Sequence, residues 1–234
     1  MTRLKRPASL RAALAAGALA LAACASAPPR DPRATLAAEL VEIRALAPEV
    51  RVELRYATTE NFLGEAVYPS AARAYLQRPA VEALARAAHR LAGRGLGLLV
   101  YDAYRPWRVT KLFWDRTPRE KRAFVADPRQ GSRHNRGCAV DLTLVELASG
   151  RALAMPSAYD DFSERAHPGY AGGTEEERAN RDLLRAALEA EGFTVYENEW
   201  WHFDFAGWER YPVLDLPFER LADRPACAGC AVAH

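Results

Sequence analysis

Leu36, Leu40, Ile43 and Leu46 recur at helical spacing, which predicts a helix from Thr35 to Leu46 that Pro48 stops. The period then changes to two. Val50, Val52, Leu54 and Tyr56 alternate with charged residues, as in an antiparallel strand with one wet face, and a turn-rich loop follows from Thr58 to Tyr68. Pro79 to Ala92 reads as a helix, with Pro at its start, a stripe of Val81, Leu84, Ala88 and Leu91, and Gly93 beyond its end. A buried strand, Leu96 to Tyr101, comes next, and Pro106 opens a helix through Trp114. Thr117 with Glu120, and Thr174 with Glu177, match the capping box, so each predicts a helix start; the second helix runs to Glu191 and ends at Gly192. From Gly137 the residues alternate again, Cys138, Val140, Leu142 and Leu144 on one face against Ala139, Asp141 and Thr143 on the other. Trp201 to Phe205 reads as a second buried strand. Helices interleaved with strands near residues 50, 97, 140, 194 and 203 predict one α+β domain with a mainly antiparallel central sheet flanked by helices.

The two ends change the picture of composition. Arg3, Lys5, Arg6 and Arg11 precede an Ala/Leu run from Ala12 to Ala23 that is short for a membrane span and reads as a secretory signal. Leu21-Ala22-Ala23-Cys24 resembles a bacterial lipobox, which implies cleavage before Cys24, lipidation of it, and a mature protein anchored in the periplasm, at the outer membrane rather than the inner. The expected layout is a signal at 1–23, a polar, proline-containing tether at 24–33, the domain at 34–218 and a tail at 219–234. Removing 1–23 takes four of the 32 Lys and Arg and none of the 30 Asp and Glu, so the mature charge is −2 rather than +2. No basic stripe with interleaved aromatics remains, which argues against a nucleic-acid partner. Cys227 and Cys230 suit either a small-loop disulfide or free thiols in the tail, and Cys138 suits a packed position on its strand.

Chemistry concentrates in Ser132-Arg133-His134-Asn135-Arg136-Gly137-Cys138-Ala139-Val140-Asp141 and in Glu199-Trp200-Trp201-His202. Asp141 projects from inside an otherwise apolar strand, where an unpaired carboxylate costs several kcal/mol and so calls for a cation or strong donors. His134 just before that strand and His202 in the second aromatic strand complete two histidines and one carboxylate, a set typical of catalytic zinc, with one position left to water. Glu199 is the spare carboxylate for that water; a bend ahead of the strand is expected to let it share a cavity with His202. Arg105, held between Tyr104 and Pro106 at a strand end, suits either a surface ion pair or a developing negative charge. The irregular stretch Glu146 to Gly173 is long enough to be a binding loop, with Asp160 and His167 as its candidates.

S-x-H-x-x-G-x-A-x-D followed by E-x-W-H resembles the zinc D-alanyl-D-alanine dipeptidases of the vancomycin-resistance type, within the wider group that includes zinc D,D-carboxypeptidases. Leu54 to Thr58 with Asn61-Phe62, Asp102 to Pro106, and Met155 to Asp160 ending in His167 carry the likeness from about Leu36 to Trp208. The resemblance implies one zinc per chain on His134, Asp141 and His202, Glu199 as general base and Arg105 at the transition state. It further implies Ser132 on the substrate carboxylate and Asp160 on its ammonium, although Pro156 stands where glycine is expected. The substrate implied is D-alanyl-D-alanine or a close relative. A carboxypeptidase or endopeptidase on wall peptides, and a non-catalytic wall-peptide binder, are the alternatives; the second has no need of Glu199.

Overall fold

A computed structural model describes residues 27–222. Its centre is a five-stranded sheet in the order β2 (Arg51–Val52), β4 (Leu96–Asp102), β5 (Ala139–Glu146), β7 (Glu199–Phe205), β6 (Phe193–Tyr196). Only β2 and β4 are parallel; every other pair is antiparallel. A separate antiparallel pair joins β1 (Leu40–Glu42) to β3 (Tyr75–Gln77). Helices α2 (Arg78–Ala92) and α4 (Glu175–Glu189) pack against each other and against the sheet. Leu84, Leu91, Leu184 and Leu188 meet Val140, Leu142 and Leu144 there, in the main core. Each such fully buried aliphatic side chain contributes on the order of 1.5–3 kcal/mol. The domain is therefore α+β, with its sheet mainly antiparallel and flanked by helices, as the pattern predicts.

The opposite face of the sheet has a much smaller apolar cluster, Leu99, Tyr101 and Val145, with Tyr159 against it. By the two-residue period of β5, Asp141 and Thr143 lie on that same face as Val145. Alternation thus sorts one strand into a core side and a functional side. The loop from Leu147 to Gly173, α3 (Trp107–Arg116) and the segment after β2 supply the rest of this side.

Three local expectations are corrected. The expected helix from Thr35 is instead β1 followed by one short turn, α1 (Ile43–Leu46), because Leu40 to Glu42 pair with β3 and Gln77 Oε1 accepts from Glu39 N at 2.7 Å. Helical spacing of four apolar residues did not outweigh that tertiary pairing. The strand expected over Val50 to Tyr56 stops at Val52 and runs parallel, the α2 crossover bringing β4 back in the same direction. Its remainder curls into a 3-10 turn, Arg55–Ala57, that buries Tyr56. Thr117 does not cap a following helix: its hydroxyl donates to Phe113 O at 2.7 Å, closing the end of α3, and a 3-10 turn over Arg119–Phe124 follows. At Thr174 the capping box is present in both directions, the helix beginning at Glu175. The final short helix α5 (Phe218–Ala222) buries Phe218 and Leu221, so packing continues slightly past residue 218. The expected signal, Cys24, and the Cys227 and Cys230 pair lie outside the described residues.

Candidate metal centre and active site

Asp141 and His202 are direct partners across β5 and β7. Opposite residues of an antiparallel pair share a face at short range, so the ladder itself brings the two side chains together. His134 arrives from a 3-10 turn, His134–Arg136, that ends at Gly137 with φ 66°. A β-carbon at Gly137 would collide with Leu40, while Gly137 O accepts from Gln77 N at 2.8 Å. Glycine is therefore required where the turn meets β5. The same turn is stitched to the end of β4: Arg105 N donates to His134 O at 3.1 Å and Asn135 Nδ2 donates to Arg105 O at 2.9 Å.

Both imidazoles are oriented by what their outer nitrogens meet. His134 Nδ1 lies 2.6 Å from Ala103 O, which can only accept, so the proton sits on Nδ1 and Nε2 carries a lone pair. His202 Nε2 lies 2.9 Å from Asp204 Oδ1. Burial works against the Asp204 charge, but His202 and Arg133 hold that carboxyl below its usual range, so Nε2 donates to it; Asp204 and Asp141 in turn hold the His202 pKa above its usual value against burial, and Nδ1 is the nitrogen turned towards Asp141. His134 Nε2 and His202 Nδ1 are 3.1 Å apart, and lie 3.2 and 3.0 Å from Asp141 Oδ1. That oxygen is buried and has no hydrogen-bond partner among the described residues. Three potential ligand atoms thus converge in a dry site, and protons can satisfy only part of the set. A proton on one ring would relieve one contact, whereas a divalent cation satisfies all three at once. Two histidines and a carboxylate fit zinc, and the partners behind both rings are the kind that orient zinc ligands.

Glu199 Oε2 lies 3.7 Å from His202 Nδ1. The expected bend ahead of the strand is replaced by an irregularity within it. Glu199 is the first residue of β7, and the register with β6 shifts between Val195 and Tyr196, so that Glu199 pairs with Tyr196 while Phe203 pairs with Val195. The extra length on β7 overrides the simple two-residue parity between positions 199 and 202. Burial pushes the Glu199 carboxyl up to about 8; His202 opposes this, and Asp141 and Asp160 add to it.

Arg105 is buried, with Nε and Nη2 both on Asp102 Oδ2, at 3.0 and 2.6 Å. Its guanidinium lies over Tyr56 and Phe113, and Nη2 is 4.0 Å from Asp141 Oδ2. Asp102 also accepts from Tyr68 Oη at 2.8 Å. A register shift between Val100 and Asp102 sets Asp102 opposite Asp141. Sequence reasoning quoted Asp102 without giving it a role. The three-residue step from Asp102 to Arg105 was the available signal.

Ser132 and Asp160 line the same cleft, His167 does not. Ser132 Oγ accepts from His134 N at 3.2 Å. Asp160 accepts from Tyr56 Oη at 3.1 Å and Phe62 N at 3.1 Å. Burial, then Asp141, push its carboxyl up to about 7, against the pull of Phe62 N–H, Arg105 and Tyr56. Phe62, Phe113, Phe124, Phe162, Tyr196 and Trp201 form the walls, Phe124 and Phe162 stacked at 4.8 Å. The cleft between these walls opens to solvent at its mouth. Cys138, although next to this region in sequence, is fully buried with its thiol pushed far up by burial, and packs rather than reacts.

A cation site with a spare carboxylate beside it, at the bottom of an open cleft, is suited to adding water across a carbonyl, and the protein is in this sense a metallopeptidase. The model of the peptidase M15 family, described as D-ala-D-ala dipeptidase, matches residues 36–218, and the chain belongs to that family. It is 36% identical to the D-alanyl-D-alanine dipeptidase of Escherichia coli over 176 residues, which are 75% of this chain and 89% of that one. The Enterococcus faecium protein of the same name is 35% identical, over 72% of this chain and 92% of its own. The Streptomyces coelicolor one is 34% identical, over 68% and 87%.

Proposed function

We infer that this chain hydrolyses D-alanyl-D-alanine in a zinc-dependent reaction, with His134, Asp141 and His202 as the metal ligands. The observation that carries the reading is the convergence of three buried potential ligand atoms, His134 Nε2, His202 Nδ1 and Asp141 Oδ1, within about 3 Å of one another. Zinc bound there supplies a coordinated water with a pKa lowered towards about 7 and polarises the scissile carbonyl. Glu199, whose Oε2 lies 3.7 Å from His202 Nδ1, takes the water proton and passes it to the leaving amine. Arg105, held rigid by Asp102, donates to the oxyanion as it develops. Asp160 receives the substrate ammonium and Ser132 its carboxylate, which supports a dipeptide with both ends free. The test is amine release by purified protein from D-alanyl-D-alanine, L-alanyl-L-alanine and a muropeptide, with and without a chelator. Cleavage of the first alone, abolished by chelation and restored by zinc, is expected; equal cleavage of the L-dipeptide or of the muropeptide rejects the assignment.

We further propose that the enzyme works in the bacterial periplasm, attached to the outer membrane through a lipid on Cys24. The basic, apolar and small-residue order of residues 1–24 supports this. Wild type is expected in the membrane fraction and Cys24→Ser outside it or unprocessed. A wholly soluble, processed wild type rejects the anchor.

A further inference from the structure

The two oxygens of Asp141 live in different surroundings. Oδ1 faces the two imidazole nitrogens, while Oδ2 accepts from Tyr159 Oη at 3.1 Å and has the Arg105 guanidinium 4.0 Å away. Tyr159 reaches Asp141 from the far loop, eighteen residues along the chain, and its ring has little freedom. Tyr101 packs against it at 5.0 Å, Trp201 edge-on at 5.6 Å and Tyr56 at 6.2 Å. The phenol O–H is the donor in this contact, and the Asp141 carboxylate oxygen can only accept. The next residue, Asp160, has φ 59°, the one positive φ outside glycine among the described residues. That sharp turn lets Tyr159 reach the sheet while Asp160 bonds to Tyr56 and Phe62.

A carboxylate can hold a metal through one oxygen or two. With Oδ2 occupied by a fixed donor, only Oδ1 is presented to the histidines. We propose that Tyr159 is a positioning residue that keeps Asp141 coordinating through Oδ1 alone, so that a place in the metal's coordination shell stays open for the attacking water. The proposal rests on the metal assignment above and adds to it a role for a hydroxyl that touches neither substrate nor metal. Freed from Tyr159, Asp141 can turn to grip with both oxygens, filling the place the water needs.

The test compares Tyr159→Phe with wild type and with Tyr101→Phe, which removes a hydroxyl from the neighbouring ring without touching Asp141. Each is loaded with zinc for chelator competition and turnover, and with cobalt(II) for visible absorption, whose intensity falls as coordination number rises. For Tyr159→Phe the expected result is a weaker cobalt band and a change of about 10- to 100-fold in zinc affinity or kcat with KM little altered. Tyr101→Phe is expected to keep the wild-type band. An unchanged band and zinc affinity in Tyr159→Phe overturn the proposal, as does an equal change in Tyr101→Phe, which would place the effect in ring packing. A wild type that binds neither metal removes the underlying site instead, so the two failures are distinct.

Discussion

On one side of the cleft Asp141 and His202 face each other across paired strands, and on the other Asp160 hangs from a loop with no ladder to hold it. The first pair is placed by backbone hydrogen bonds that repeat down β5 and β7, so a small side-chain error is not propagated. Asp160 is placed by two bonds to its own carboxylate, from Tyr56 and Phe62, and by a positive φ that surrounding contacts must sustain. Two of the three proposed ligands thus sit on the sheet, and the third, His134, on a short turn stitched to it. The group proposed to meet the substrate ammonium sits on the loop, where adjustment is easier.

The largest effects should come from the sheet side, and two substitutions there separate binding the metal from using it. His202→Ala removes one of three ligands and is expected to lose zinc by elemental analysis, and all measurable turnover with it. Glu199→Gln, nearly isosteric and outside the triad, is expected to keep zinc while kcat falls about 10²- to 10⁴-fold, the usual worth of a placed general base. Full zinc in His202→Ala would remove that residue from the ligand set. Loss of zinc in Glu199→Gln would make Glu199 a ligand rather than a base.

How far each side could be read from sequence follows the same division. Asp141 was visible because a carboxylate interrupts an alternating strand, and Thr174 with Glu177 because a capping box is complete within four residues. The placing of Glu199 depended on a register shift between β6 and β7, which needs the partner strand to be known. Thr117 showed the limit of local motifs: the same threonine-to-glutamate spacing occurs, but the hydroxyl turns back to Phe113. Tyr159 was missed as a partner of Asp141 because no pattern along the chain records a contact between a loop and a strand eighteen residues away. The helix expected from Thr35 failed for a related reason, since only β3 decides that Leu40 to Glu42 extend.

A middle-sized effect should come from Asp160. Replacing it by Asn removes the charge proposed to face the substrate ammonium, and a hydrogen bond to a charged group is worth about 1.5–3 kcal/mol, so KM should rise about 10- to 100-fold with kcat little changed. Its pH dependence has a definite sign. The carboxyl is pushed from 3.8 up to about 7 in the fold, so between these values the folded chain keeps a proton that the unfolded chain has lost, and stability falls as pH rises through that window. Binding runs the other way, because the ammonium needs the ionised form: wild-type KM should fall as pH rises towards about 7.5, below the α-amino pKa of about 8, while that of Asp160→Asn stays flat. A wild-type KM that is equally flat would detach Asp160 from the ammonium.

The smallest effect tests whether the loop side depends on its supporting helix. The first turns of α4 hold the loop through side chains: Arg178 Nη1 donates to Gly173 O at 2.7 Å, Asn180 Nδ2 to Ala154 O at 3.0 Å and Arg181 Nη1 to Tyr170 O at 2.7 Å. Thr174 caps that end, its hydroxyl accepting from Glu177 N at 3.1 Å while Glu177 Oε2 accepts from Thr174 N at 2.7 Å. Thr174→Ala leaves one donor of the helix start without its partner and is expected to cost about 1 kcal/mol, a fall in Tm of about 2–4 °C for a domain of this size. The sheet side does not touch this cap, so zinc affinity and kcat should stay at the wild-type level. If the loop is held by α4 as these bonds imply, any kinetic change should appear in KM alone. A Tm loss accompanied by weakened zinc binding would instead mean that the two sides share one support, and the division between ladder and loop would have to be given up.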